Sequence, residues 1–354
     1  MIFILKNKVT LKEIAKRAGI SHSAASRAMA DKYGVSPDVK RIVRNIALEL
    51  GYVSKKTAGK SKFSKKVLLF LDRQILFFKD KNPFYEEILN AMEQQLLEAG
   101  IEIEIIIVKC ESPEDIEYYA LQNKNPAGII FLSKNNISLI NAVYKTGLPL
   151  ILVDNWYYEG HEYDMIRTNN YCVGFDAANY LVSKGHKNVA FVGRIDFSVS
   201  FKERYRGFAD CLKINGLNIL HSDGQNDIFN NPVQCKIMEF NASYNAKRLE
   251  SLLLSSECPS ALFCANDPIA FMVLKQLSSM NIPVPEKISV IGCDNIAESE
   301  SFKLTTFDVF TKSMGYYAAT LLVDRINYPN RPPQYIQTSS KLIERATVRE
   351  LKIT

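Results

Sequence analysis

The 354-residue sequence has no long hydrophobic run and few cysteines and histidines. Its apolar stretches at 67–71 and 103–108 are far shorter than the roughly 20 residues that a membrane-spanning helix needs. The seven cysteines are scattered without a CxxC pair, and there are only four histidines, so neither a disulfide framework nor a zinc site is indicated. We therefore expect no metal, no cofactor and no membrane contact.

Motifs for catalysis and for export are also missing. The sequence has no GxSxG elbow, no P-loop and no HExxH pair, so we expect that the protein is not an enzyme. The apolar residues 2–5 are too few for a secretory signal peptide. A cytoplasmic location with reduced thiols is therefore expected.

Charge is distributed unevenly along the chain. Residues 1–66 carry 16 basic and 4 acidic side chains, a net charge of +12, whereas the rest of the chain carries 28 basic and 34 acidic ones, a net charge of −6. A basic head on a mildly acidic body suits a polyanionic partner that contacts the head alone.

The first fifty residues contain the signals of three short helices. Thr10 and Glu13 form a capping box, and Gly19 supplies the left-handed residue that ends a first helix. A second helix is predicted over 21–30 and a third from Ser36 onward. Three short helices with a glycine-containing turn predict a helix-turn-helix, although a purely structural three-helix bundle would have the same pattern.

A helix-turn-helix places the N-terminal part of its second helix in the major groove of double-stranded DNA. His22, Ser23 and Arg27 are predicted to face base edges there, and the guanidinium of Arg27 suits guanine. Ser21 and Ser26 are predicted to bond to phosphates, which position a protein without reading the sequence.

Three motifs, VTLKEIAKRAGIS at 9–21, ASRA at 25–28 and LGY at 50–52, closely resemble the start of the LacI/GalR family of repressors. The match is dense and colinear, which makes it more specific than a general helix-turn-helix pattern. The resemblance implies a homodimer that represses transcription by binding a palindromic operator.

The segment after these motifs departs from the family pattern. Family members have a hinge helix that ends in Ala-Arg-x-Leu, whereas here only Ala58 fits, and Gly59 and Ser61 replace the arginine and the leucine. Since the leucine is the residue that wedges into the minor groove, we expect little DNA bending. Lysines of this segment are predicted to contact phosphates, namely Lys55, Lys56 and Lys60.

From residue 67 onward, strand-like and helical patterns alternate. The candidate strands are 67–71, 103–108, 128–132, 150–154, 189–193, 261–265 and 289–294. The candidate helices are 84–99, 113–123, 173–183, 204–215, 245–255 and 268–280. Continuous apolar strands separated by helices predict an α/β fold with parallel, doubly wound sheets. The length of this pattern exceeds one open sheet, so two lobes are expected.

Further motifs resemble the type I periplasmic-binding-protein fold that the same family carries as a sensor, among them NPFY at 82–85, RYRGF at 204–208, AND at 265–267 and VIGCD at 290–294. The expected domains are a DNA-binding head at 1–53, a basic hinge at 54–66 and a body at 67–354 that binds an effector and dimerises. The first lobe is expected to contain 67–167 and 310–335, and the second 168–309 and 336–354.

Ligands of parallel sheets bind beyond the carboxyl ends of the strands, where several polar residues of this chain are predicted to lie. The resemblance assigns the effector contacts to Phe84, Tyr85, Asp154, Arg204, Asn266 and Asp294, with the two aromatic residues as candidate lids. Three further aromatic side chains are candidates for stacking on the effector, namely Trp156, Phe197 and Phe201.

These residue types indicate the chemistry of the effector. Carboxylates, an amide and a guanidinium around an aromatic face suit the hydroxyls of a sugar, whereas a forked arginine equally suits a carboxylate or phosphate. We expect a sugar or sugar derivative, and a nucleobase or a phosphoprotein co-regulator are alternatives. A solute-binding transport protein is a weaker alternative, because the basic head and the missing export signal oppose it.

Overall fold

The computed structural model describes residues 10–29, 34–36, 39–40, 42–43, 46–47, 65–72, 83–108, 126–133, 137–155, 163–195, 197–217, 249–256 and 258–351. The chain divides into two compact units, Met1–Ser64 and Lys65–Thr354. The candidate helix at 113–123 and the hinge residues 54–64 lie outside the described residues. Every helix that the structure describes is too short or too polar to cross a bilayer.

The first unit begins with the capping box that the sequence predicts. Thr10 precedes helix α1, Leu11–Arg17, and its hydroxyl accepts a hydrogen bond from the Glu13 amide. In return, the Glu13 carboxylate accepts from the Thr10 amide at 2.9 Å. Gly19 has a φ of +65° and turns the chain towards helix α2, His22–Met29. The prediction of two short helices joined by a glycine-containing turn is confirmed.

Small side chains let the helices of this unit approach closely. Ile14 of α1 and two alanines of α2, Ala25 and Ala28, are fully buried in one cluster. Val43 and Ala47 lie in helical parts of the third predicted helix and complete the same cluster. Because the alanine face of α2 packs into this core, the opposite face of the helix remains exposed.

Six parallel strands form the sheet of the first lobe, in the order β10-β5-β4-β3-β1-β2. Their bounds are β1 Lys65–Asp72, β2 Ile101–Val108, β3 Gly128–Leu132, β4 Leu150–Val153, β5 Asp164–Thr168 and β10 Tyr335–Thr338. Helices α3, Pro83–Glu98, and α9, Thr311–Asn327, cover one face, and α4, Ile137–Lys145, covers the other. Strands β3 and β4 are buried along their whole length, which explains their continuous apolar composition.

The second lobe has a parallel sheet of three strands, β6 Val189–Val192, β7 Ala261–Cys264 and β8 Ser289–Ile291. An antiparallel pair, β9 Thr306–Asp308 and β11 Lys341–Ile343, stands beside it. The helices of this lobe are α5 Asn170–Ser183, α6 Val199–Ile214, α7 Asp267–Ser279 and α8 Glu298–Ser301, and residues 249–254 are also helical. The expected α/β fold with parallel sheets is confirmed.

Several elements differ from the sequence-based expectation. All seven candidate strands are present, but β5, β9, β10, β11, α4, α8 and α9 were not predicted. Helix α6 begins at Val199, five residues before the expected start, because the Ser198 hydroxyl caps it by accepting from the Phe201 amide at 3.2 Å. Strand β1 begins before 67 and β10 ends after 335, so the sheet of the first lobe extends beyond its expected boundaries.

A fully buried carboxylate fixes the last return of the chain to the first lobe. Asp164, the first residue of β5, accepts from Arg325 Nε at 2.8 Å, from Arg331 Nη1 at 2.7 Å and from the Gln334 amide at 2.8 Å. Two guanidinium groups compensate for the desolvation of the one carboxylate. This cluster holds the segment that leads into β10 beside β5.

Helices α5 and α6 are in backbone contact at two glycines. A Cβ atom at Gly174 would overlap the carbonyl group of Arg204, and one at Gly207 would overlap the carbonyl oxygen of Tyr171. Neither helix backbone can yield easily, so both positions require glycine. This contact sets the position of Arg204 in the second lobe.

We expect Gly174→Ala to destabilise the body by about 1–3 kcal/mol or more, because the added methyl group forces the two helices apart. Cys172→Ala, on the exposed side of the same helix, is the matched control and should change stability little. Urea unfolding of both variants measures the difference. Equal stability of the two variants would contradict the close packing of α5 on α6.

Candidate functional sites

The face of α2 that is predicted to read DNA is exposed. The side chains in question are Ser21, His22, Ser23, Ser26 and Arg27. The Ser21 hydroxyl caps α2 by accepting from the Ala24 amide at 3.1 Å, and Arg27 Nε donates to the Ser23 carbonyl at 3.4 Å. The predicted phosphate contacts Lys55, Lys56 and Lys60 lie outside the described residues.

Arg204 lies buried in the middle of α6, with 3% of its side chain exposed. Its Nε donates to Asn170 Oδ1 at 2.8 Å, Nη1 donates to the Ala265 carbonyl at 2.6 Å, and Nη2 donates to Asp294 Oδ1 at 3.0 Å. All three partners belong to the second lobe. The guanidinium is thus engaged by the protein on three sides, a geometry that orients Asp294.

Asp294 follows β8 in an unusual backbone conformation, with a φ of +112°. Its side chain is 9% exposed. Burial raises the pKa of its carboxyl group to about 6, an effect that Arg204 opposes and the negative charge of Asp154 reinforces. Because Asp154 belongs to the first lobe, charges of both lobes contribute to this shift.

Asp154 follows β4 of the first lobe and has a φ of +49°. Its Oδ2 accepts from the Tyr85 hydroxyl at 3.1 Å, and its Oδ1 accepts from the Ser200 hydroxyl of the second lobe at 2.8 Å. The hydroxyl oxygens of Tyr85 and Ser133 lie 3.0 Å apart, and Ser133 is the donor because the single phenolic proton of Tyr85 is donated to Asp154. Burial, followed by the charge of Asp154, raises the pKa of Tyr85 well above its usual value.

Asn266 caps helix α7, since its Oδ1 accepts from the Ile269 amide at 3.1 Å. The next residue, Asp267, is fully buried and accepts from the hydroxyls of Ser299 and Thr306, each at 2.5 Å. Burial, with a contribution from the charge of Asp294, raises the pKa of Asp267 to about 7. Asp267 was not among the predicted site residues, although it stands beside Asn266 in the AND motif.

The aromatic candidates occupy different environments. Phe84 lies in the hydrophobic core of the first lobe, edge-on to Tyr85 with ring centroids 4.9 Å apart. Phe197 and Phe201 pair at the start of α6, 5.3 Å apart, and the guanidinium of Arg194 lies 5.6 Å from the Phe197 ring. Trp156 lies outside the described residues.

A second contact between the lobes was not predicted from the sequence. Arg167 of β5 pairs with Glu203 of α6, with Nη2 and Oε1 3.0 Å apart. The sequence DMIRT of β5 contains two charged residues, Asp164 and Arg167, but it does not identify the partner of either. In the described part of the chain, no group of three or more histidine, cysteine or acidic side chains is arranged to hold a metal.

Two family models match the chain. Residues 10–55 match the model of bacterial regulatory proteins of the lacI family, and residues 178–348 match a periplasmic binding protein-like domain. Both matches agree with the helix-turn-helix head and the α/β body.

Individual relatives extend the match along nearly the whole chain. The HTH-type transcriptional repressor PurR of Pasteurella multocida (strain Pm70) is 26% identical over 351 residues, 96% of this chain and 98% of the relative. The structure of the transcriptional regulator CelR in complex with cellobiose has a TM-score of 0.67 at 23% identity and covers 96% of this chain and 99% of that one.

The Lac repressor dimer, solved on its operator with an anti-inducer, has a TM-score of 0.64 at 19% identity and covers 97% of this chain and 100% of that one. At this identity the likeness shows the fold alone. The two family models and the PurR relative identify the chain as a DNA-binding transcriptional repressor, not an enzyme, that belongs to the lacI family of bacterial regulatory proteins.

Proposed function

We propose that this repressor binds a palindromic operator as a homodimer, and that a neutral small molecule rich in hydrogen-bond donors modulates its operator affinity. The molecule binds between the two lobes, where Asp154 and Asp294 follow the carboxyl ends of β4 and β8. The observation that carries the proposal is the position of Asp294, a carboxylate held towards the crevice by the buried Arg204.

The charge balance of the crevice supports a donor-rich effector over an anionic one. The guanidinium of Arg204 donates hydrogen bonds to three protein acceptors. Its positive charge is therefore balanced by Asp294 and is not available to bind a ligand phosphate. The carboxylates of Asp154 and Asp294 outnumber it. Acceptors of this kind suit the hydroxyls of a sugar or the N–H groups of a nucleobase, and they repel sugar phosphates.

A sugar is the first candidate, because the CelR regulator of the same fold was solved with cellobiose. A nucleobase is the alternative, since it presents N–H donors and a flat face to the aromatic side chains near Asp154. Calorimetric titration with neutral sugars, nucleobases and sugar phosphates separates these classes. Preferential binding of a sugar phosphate would contradict the donor-rich proposal.

In the proposed mechanism, the effector favours one closure angle of the lobes and so changes the spacing of the two DNA-binding heads of a dimer. An effector can shift this equilibrium only by its difference in affinity for the two arrangements. The side chains that contact it in one arrangement alone therefore determine the size of the response.

The DNA contacts of the head are expected to divide into two classes. Arg27→Ala should lower discrimination between operator and non-operator DNA by about 1–3 kcal/mol, because a base-edge contact is lost. Lys60→Ala should weaken binding to both DNAs about equally and reduce the salt dependence, as the loss of a phosphate contact does. Fluorescence anisotropy across a salt series measures both effects. A uniform loss for Arg27→Ala would contradict its role in base recognition.

The effector site is expected to depend on the charge of Asp294. Asp294→Asn should weaken effector binding by about tenfold or more, since a hydrogen bond to a charged acceptor contributes roughly 1.5–3 kcal/mol. Because burial raises the pKa of Asp294 to about 6 and the effector favours the ionised form, wild-type affinity should fall as the pH drops through that value. The variant should lose this part of the pH dependence.

Glu298→Gln is the control, because this carboxylate lies nearby in α8 but is exposed. Calorimetry at several pH values with the identified effector makes the comparison. Wild-type affinity and an unchanged pH profile in Asp294→Asn would place the effector site elsewhere.

A further inference from the structure

The start of α6 contacts the first lobe through two side chains on one face of the helix. Ser200 donates to Asp154 Oδ1 at 2.8 Å, and Glu203 pairs with Arg167 at 3.0 Å. Residues three apart on a helix are neighbours, so the two contacts act side by side. Their partners also stand side by side, because Asp154 follows β4 and Arg167 lies near the end of the adjacent strand β5.

Both oxygens of Asp154 are thereby occupied by protein hydroxyls. Tyr85, from the first lobe, holds Oδ2, and Ser200, from the second lobe, holds Oδ1. Ser200 is 7% exposed, so its hydroxyl is shielded from water that could replace the carboxylate. A charge-assisted bond in such a place is stronger than one at the surface.

The ion pair is shielded to a similar degree. The side chains of Arg167 and Glu203 are 14% and 25% exposed. Burial raises the pKa of Glu203, and the charge of Arg167 opposes this shift. The Nε atom of Arg167 is buried without a hydrogen-bond partner in the described part of the chain, whereas its Nη2 atom contacts Glu203 Oε1.

We propose that Ser200 and Glu203 form a latch that holds the two lobes together in the absence of effector, and that an effector donor must take the place of the Ser200 hydroxyl on Asp154. The displacement of Ser200 by the effector rests on the proposed function, whereas the latch itself does not. The latch sets the population of the open form, which is the form that admits a ligand.

The test measures the distance between the lobes of the full-length, effector-free protein without DNA. Fluorescent labels are introduced through unnatural amino acids at Lys145 in α4 and Lys213 in α6, both of which are exposed. Single-molecule energy transfer then gives the closed and open populations. The double variant Ser200→Ala/Glu203→Ala should lower the closed-to-open ratio by about tenfold or more, because two hydrogen bonds to charged partners are lost.

Lys275→Ala, at an exposed position of α7 in the same lobe, is the control and should keep the wild-type distribution. The charge exchange Arg167→Glu/Glu203→Arg should restore closure relative to Glu203→Ala, which separates the ion pair from the fold of α6. The latch is overturned if the double variant keeps the wild-type distribution or if Lys275→Ala opens the lobes equally.

The outcome is independent of the proposed function because the experiment contains no effector. An unchanged distance between the labels in the double variant would contradict the latch but would not affect the proposed effector site at Asp294. Normal effector binding by Asp294→Asn would overturn that site and leave the latch standing.

Discussion

The buried guanidinium of Arg204 joins three parts of the second lobe that are distant in sequence. Its partners are Asn170 at the start of α5, the carbonyl of Ala265 after β7 and Asp294 after β8. A charge at 3% exposure is costly to bury without such bonds, so these partners hold their places together. The close contact of α5 and α6 at Gly174 and Gly207 places the backbone of α6 near enough for the Arg204 guanidinium to reach all three partners.

Arg204 also affects the charge of the acidic residues around the proposed effector site between the lobes. Two carboxylates, Asp267 and Asp294, are buried near each other, and burial raises their pKa values to about 7 and about 6. Asp267 is satisfied within the lobe by Ser299 and Thr306, so its role is to hold the start of α7 against α8 and β9. Asp294 pairs with Arg204, and the negative charge of Asp154 of the other lobe raises its pKa further. A ligand that donates hydrogen bonds relieves this repulsion, whereas an anion adds to it.

The sequence predicts the elements that local chemistry determines. The Thr10 capping box and the buried strands depend on residues close together in the chain, whereas the effector candidates depend on the resemblance to the family. Contacts between distant residues were not predictable. Neither the composition of DMIRT in β5 nor the spacing in α6 reveals that Arg167 meets Glu203. Likewise, Arg204 was expected near a helix start, and only the Ser198 cap shows that it lies in the middle of α6.

Helix α6 connects the two features that regulation requires. Arg204 holds Asp294, while Ser200, one turn earlier, and the adjacent Glu203 contact the first lobe. Because α6 is a continuous helix of 16 residues, a displacement at Arg204 moves these contacts as well. Coupling between sites requires an element with two arrangements whose balance both sites bias. In the proposed mechanism the two arrangements are the closure angles of the lobes, and α6 bears both the residue that orients Asp294 and the contacts that closure makes.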